Sequence, residues 1–217
     1  MTAMANSPWD RALMACGVVG PAVFTASWLV GTIRQPGYSI SHEHISGLAA
    51  PDARTPNVMR VGFMTLGTCS VGFAIALDRR LGEGAEGSGI GPPLLAASGL
   101  AIGVAGVLRR DRMSNFAPPG APKTRQSWAN DGHDLASVAA QVTGTAGLIA
   151  LSRRFARDPV LHDLAAPAVR AALASSGAMT WFARAVTRPG NGIVQRVGVS
   201  IPLAFMARAA MRLLREP

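Results

Sequence analysis

Charged residues make up only 15% of this 217-residue chain, against about 25% in an average soluble domain, and that deficit argues against a water-solvated globule of ordinary composition. Lysine is nearly absent: Lys123 stands beside twenty arginines. Aromatic residues reach only 6%, with a single tyrosine, Tyr38, so platforms on which nucleic-acid bases could stack are missing. The net charge of +9 therefore does not point to nucleic acid, because the arginines flank apolar runs and do not form one basic stripe. Anionic lipid headgroups are the expected counter-charge. The two cysteines, Cys16 and Cys69, both lie inside apolar runs, which excludes a disulfide scaffold and a four-cysteine zinc site.

What the chain does have is apolar length. The mean hydropathy of +0.26 is mild for a membrane protein, but much of the apolar content is alanine and there are 24 glycines, residues that let transmembrane helices approach closely. Residues 12–33, 61–77, 87–108 and 135–152 carry no charge, and each of these windows is flanked at one or both ends by Arg or Asp. One charge at a bilayer centre costs about 2.5–3.5 kcal/mol on insertion scales, so the windows mark membrane spans. Two shorter windows, 171–183 and 197–207, reach spanning length if their flanking arginines snorkel. The expectation is an all-α polytopic bundle of about six helices forming a single domain, with spans near 12–33, 58–78, 90–108, 133–152, 165–184 and 197–214. The first is read as a retained helix and not a cleaved signal, since its apolar run exceeds a signal core.

Gly99 and Gly103 form a GxxxG pair, Gly106 follows, and Gly144 and Gly147 repeat the theme on the next helix. Close packing within the bundle is the favoured use of this pattern, with homo-oligomerisation through Gly-rich faces as the other. The connections are 35–57, 78–88 and 109–131, the last containing Pro118, Pro119, Gly120 and Pro122. Positive charges nearly tie between the two sides, ten against eleven, so they do not set orientation. A cell-membrane location with both termini in the cytoplasm is favoured, because the arginines of the other side cluster in longer, motif-bearing loops.

If the spans alternate, the loops after spans one, three and five share one face, and most of the candidate chemistry lies there. His42 and His44 are two apart and would point to one side only of an extended strand. With one or two further ligands they could hold zinc, but a polar interfacial loop is favoured over a metal site. Ser46, Asp111 and His133 supply the components of an activated nucleophile: a hydroxyl, a histidine base and an orienting carboxylate. The same residues suit helix capping, with Asp131 preceding a helix start and Ser46 capping an amide. Tyr38, His42, His44, Arg109, Arg188 and Arg196 are candidate ligand-binding residues on that face. Proton- or ion-coupled transport is disfavoured, since no charge lies inside the first four windows.

Several short motifs carry a resemblance. They are Pro36-Gly37-Tyr38-Ser39, then Ile45-Ser46-Gly47-Leu48-Ala49, Asp111 with Pro118-Pro119-Gly120, His133-Asp134-Leu135, and Gly192-Ile193-Val194-Gln195-Arg196. In this order, at helix boundaries and over nearly the whole chain, they resemble the prokaryotic membrane proteins of domain-of-unknown-function family 998. The resemblance implies an integral membrane bundle of about six helices with polar motif residues gathered on one face, and places Ser46, Asp111 and His133 on recurring polar positions. It brings no settled activity. The segment His42-Glu43-His44 and the Arg109-Arg110 pair depart from the pattern. Two functions follow as expectations: a membrane protein that binds a lipid or small ligand at its polar face, or an interfacial hydrolase or transferase acting on lipid through Ser46, Asp111 and His133.

Overall fold

A computed structural model describes residues 7–82, 89–111, 127–185 and 188–215. The Pro118-Pro119-Gly120 motif, Pro122, Lys123 and most of the 78–88 turn expected to be rich in Gly, Glu and Arg lie outside them. The described residues form six α-helices and no strand: α1 (Pro8–Arg34), α2 (Pro56–Gly82), α3 (Gly91–Val107), α4 (Trp128–Phe155), α5 (Ala165–Arg184) and α6 (Asn191–Leu214). Each helix packs on the next, and α6 returns to α1, so the bundle closes into a ring. Four helices, α1, α2, α4 and α6, are long and apolar enough to cross a membrane. At 17 residues, α3 spans about 26 Å at 1.5 Å per residue, slightly short of a hydrocarbon core of about 30 Å.

Local signals set the helix starts. Ser7 caps α1 by accepting from the Asp10 amide, with Pro8 at the first helical position. Ser127 does the same for α4 through the Asn130 amide at 3.2 Å. The cap of α4 is thus Ser127, and Asp131, expected to precede the helix, sits within its first turn. The reason is competition: a hydroxyl four residues earlier already satisfies the free amides.

The apolar core runs from Ile45, Leu48 and Met59 near the loop after α1 through the bundle, with most of its residues towards the end that carries the termini. There Phe73, Leu77 and Leu81 of α2 meet Leu151 and Phe155 of α4, Leu164 and Ala168 beside and in α5, and Phe205, Ala209 and Leu213 of α6. Ion pairs ring the same end: Arg79 to Asp10 at 2.8 Å and Arg80 to Asp158 at 3.4 Å. Arg212 of α6 donates to the Val160 carbonyl at 2.9 Å. The outer faces are apolar instead: Leu100, Val104 and Val107 on α3 and Leu135, Val138 and Val142 on α4 are exposed. Such stripes suit contact with lipid tails and would be costly in water.

Glycine sets the helix spacing. A Cβ on Gly67 of α2 would lie 2.6 Å from both the Gly103 nitrogen and the Gly99 carbonyl oxygen of α3. On α4, Cβ atoms at Gly144 and Gly147 would press on Ser98 and on the backbone of α3, and on α3 a Cβ at Gly106 would press on Phe63 and Met64 of α2. These contacts place Gly99, Gly106, Gly144 and Gly147 inside the α2–α3–α4 packing of one chain.

Candidate functional site

The end of the bundle opposite the termini is polar, and it is built from the loops after α1, α3 and α5. The chain leaves α1 and reverses at Gly37, whose φ of +73° lies in the left-handed region that side chains disfavour. This turn delivers Tyr38 to the bundle interior, where Arg196 of α6 meets it. One terminal nitrogen of Arg196 donates to the Tyr38 hydroxyl at 2.5 Å. The other donates to the carbonyls of Ile40, Glu43 and Gly192 at 3.0, 2.8 and 2.9 Å. The guanidinium also stands 5.5 Å from the ring centroids of both Trp28 and Tyr38, a favourable cation–π arrangement. The Tyr38 hydroxyl in turn donates to the His44 carbonyl at 2.9 Å. Gln195 accepts from the Ile45 amide at 2.8 Å, and the Gly192 amide donates to the Ser41 carbonyl at 2.9 Å. Residues 38–45 are therefore clamped to the first turns of α6.

A second network ties the same loop to α4. Arg110 donates to the Ser46 hydroxyl at 3.2 Å and forms an ion pair with Asp134 at 2.7 Å. Asp134 accepts from the Asn130 side-chain amide at 3.2 Å, and Asn130 accepts from the Asp111 backbone amide at 3.1 Å. Both carboxylate oxygens of Asp111 are taken by Ser127, through its amide at 2.7 Å and its hydroxyl at 2.6 Å.

This geometry separates the three residues expected to form a nucleophilic set. His133 is buried, its Nδ1 lies 2.7 Å from the Ala105 carbonyl, and its ring packs edge-on against Phe63. Among the described residues no hydrogen bond joins any two of Ser46, Asp111 and His133. Ser46 and Asp111 do enter one network, but through Arg110, Asp134 and Asn130, with the imidazole on another side of the helix. Among the described residues Ser46 caps no amide either; its hydroxyl accepts from Arg110.

The other candidates also sort by their contacts. Tyr38, half-buried, and Arg196, buried, join the loop after α1 to α6. His42 is exposed and its Nδ1 meets the hydroxyls of Ser39 and Ser41 at 2.9 and 2.7 Å, while the His44 ring packs against Phe182 with centroids 4.7 Å apart. Their separate environments do not make a pair of metal ligands, and no cluster of three His, Cys, Asp or Glu side chains suited to a metal occurs among the described residues. Arg188 and Arg109 are exposed. Arg109 helps line a cavity of about 230 Å³ together with Ala49, Pro51, Pro56, Asn57 and Arg60. Arg60, Asn57, Arg110, Asn130, Asp134 and Gln195 were missed as site residues. The opposite charges of Arg110 and Asp134 at the two ends of one loop were the legible signal.

Titration follows burial. Burial, then the Arg110 guanidinium, holds the His44 imidazole below its ordinary value, with Asp134 opposing and Arg196 adding to the effect. Burial raises the Glu43 carboxyl against the lowering by the Ser39 amide and Arg196. His44 thus takes up a proton more readily in the unfolded loop. Its contribution to stability is complete above the ordinary histidine value of about 6.5 and is lost as pH falls through it towards the lower folded value. Glu43 acts in the opposite sense, gaining its proton more readily in the folded loop. Acidification from about pH 7.5 to 5.5 is expected to speed amide exchange over residues 38–49, after correction for intrinsic rates, and His44→Gln is expected to remove that acceleration. An identical pH response in wild type and His44→Gln would contradict the assignment.

No curated protein and no solved structure matches the chain. The description Protein of unknown function (DUF998) is matched over residues 18–212. With the described helices forming a six-helix bundle, four of them apolar enough to span a bilayer, and the motif residues gathered at one end, this membrane protein belongs to that family.

Proposed function

We propose that the protein is a multi-pass binding protein of the cell membrane, with cytoplasmic termini, whose polar face holds an anionic lipid headgroup or small anionic ligand. One observation carries this: the imbalance of available charge at that face. Arg34, Arg54, Arg109, Arg184 and Arg188 are exposed there, and among the described residues their guanidinium groups have no hydrogen-bond or ion-pair partner. At that face the carboxylates of Asp111, Asp134 and Glu43 are engaged by Ser127, Arg110 and the Ser39 amide and Asp52 is half-buried, which leaves Asp131 as the exposed acid of the face among the described residues. Free guanidinium groups beside an apolar span lie where lipid phosphates lie, and each contributes roughly 1 kcal/mol of attraction to an anionic surface. The two clamps hold the loops that carry them, so little ordering would accompany binding.

Nanodiscs of mixed phosphatidylglycerol and phosphatidylcholine give the test. Lipid co-isolated with the protein is expected to be enriched severalfold in phosphatidylglycerol, and a variant with all five arginines changed to glutamine is expected to return the ratio to that of the bulk. A wild-type ratio equal to the bulk would sink the proposal. Labelling of Arg188→Cys by a membrane-impermeant reagent in intact cells tests the orientation, and protection from it there would reverse the topology.

A further inference from the structure

We infer that the cavity between the loop after α1, the start of α2 and the exit of α3 is a seat for one phosphate group, carried by a lipid or free in solution. This rests on the reading that the polar face binds an anion, and it assigns that anion to one place. The lining residues supply both parts of such a seat. Ala49, Pro51 and Pro56 form an apolar wall, while Arg60, Arg109 and Asn57 bring donors. Among the described residues no acidic side chain lines it.

Arg60 is already fixed in position. Its Nε donates to the Gly106 carbonyl at 3.2 Å, and its terminal nitrogens reach the Val107 carbonyl and the Asn57 side-chain oxygen, each at 3.4 Å. A guanidinium has five N–H donors, so after these three bonds two remain for a ligand. Anchoring by the last carbonyls of α3 means that Arg60 loses little freedom on binding, whereas Arg109 is exposed and supplies a second fork. Guanidinium forks match phosphate oxygens in a bidentate manner and form short, charge-assisted bonds. The volume of about 230 Å³ lies below the roughly 300–1,000 Å³ of sites for drug-sized ligands, which favours a compact group over a bulky substrate. At the same face Arg188 is just as exposed, but it does not line the cavity, and it therefore separates a seat from diffuse attraction.

The test uses the full chain in a maltoside detergent, which contains no phosphate. One arm titrates phosphatidylglycerol and counts bound lipid by native mass spectrometry; the other titrates inorganic phosphate by calorimetry. Arg109→Glu is expected to weaken binding about tenfold or more, and Arg188→Glu, which loses a share of the diffuse attraction but no contact in the seat, only about threefold. A second cavity variant, Pro51→Glu, is expected to act like Arg109→Glu. Loss in the lipid arm alone identifies a headgroup, and loss in the phosphate arm identifies a soluble ligand; either supports the seat. Equal weakening by Arg109→Glu and Arg188→Glu, or by neither, overturns the seat while leaving anion binding by the face intact. Absence of wild-type binding in both arms overturns the seat and the underlying reading together.

Discussion

Replacing Arg196 with alanine is expected to release residues 38–49 from the bundle and to lower stability by about 3–5 kcal/mol, because a buried cation is removed and its acceptors are stranded. Arg196 is 6% exposed and satisfies the Tyr38 hydroxyl and the carbonyls of Ile40, Glu43 and Gly192 at once. Those four oxygens belong to two segments about 150 residues apart, so the loss is tertiary, not local. Arg196→Lys is expected to recover only a minor part. An ammonium has three donors but no planar fork, and it cannot lie between Trp28 and Tyr38 as the flat guanidinium does. Thermal melting in detergent measures the stability, and limited proteolysis within 38–49 reports the release. Protection of that segment equal to wild type in Arg196→Ala would show that the remaining bonds, Gln195 to the Ile45 amide and Gly192 to Ser41, suffice without the guanidinium.

The second large effect is steric. Gly67→Val is expected to cost about 3 kcal/mol or more, the upper range for overpacking, since its Cβ would be only 2.6 Å from two backbone atoms of α3 and neither can rotate away. The partner glycine provides the control. A Cβ on Gly103 meets nothing within 4 Å, so Gly103→Ala is expected to be neutral or slightly stabilising through improved helix propensity. Both belong to the same contact, yet only one faces it with its α-hydrogen. Unfolding of the two variants in a denaturing detergent series decides the matter: equal destabilisation would mean that the α2–α3 crossing differs from the one described.

The fold was legible because exclusion of charge from a bilayer is a one-dimensional signal. Residues 12–33, 61–77, 87–108 and 135–152 fall within or largely overlap α1, α2, α3 and α4 for that reason. Alternation of the helices also placed the loops after α1, α3 and α5 at one end, which Arg110–Ser46 and Arg196–Glu43 bear out. The site was less legible. Arg196 has the same local sequence character as Arg188, an arginine near the glycine turn before α6, yet one is buried under two aromatic rings and the other is exposed. What distinguishes them is that Arg196 sits inside α6 while Arg188 lies in the turn before it, and that Tyr38 arrives from far along the chain to meet Arg196, which leaves no mark in local spacing. His133 likewise differs from an active-site base only by the orientation of α4, which turns it towards Ala105 and Phe63. Its sequence neighbour Asp134 instead faces Arg110.

The closing contact between the first and last helices also sets an order of events during synthesis. The bond from the Ile45 amide to Gln195 spans 150 residues, about 8–30 s of translation at 5–20 residues per second. Until α6 has entered the membrane, the loop after α1 has neither Arg196 nor Gly192 to hold it, however early α1 and α2 pair. The polar face therefore matures last, and a chain halted before α6 would carry its motif residues without the arrangement that gives them a shared surface.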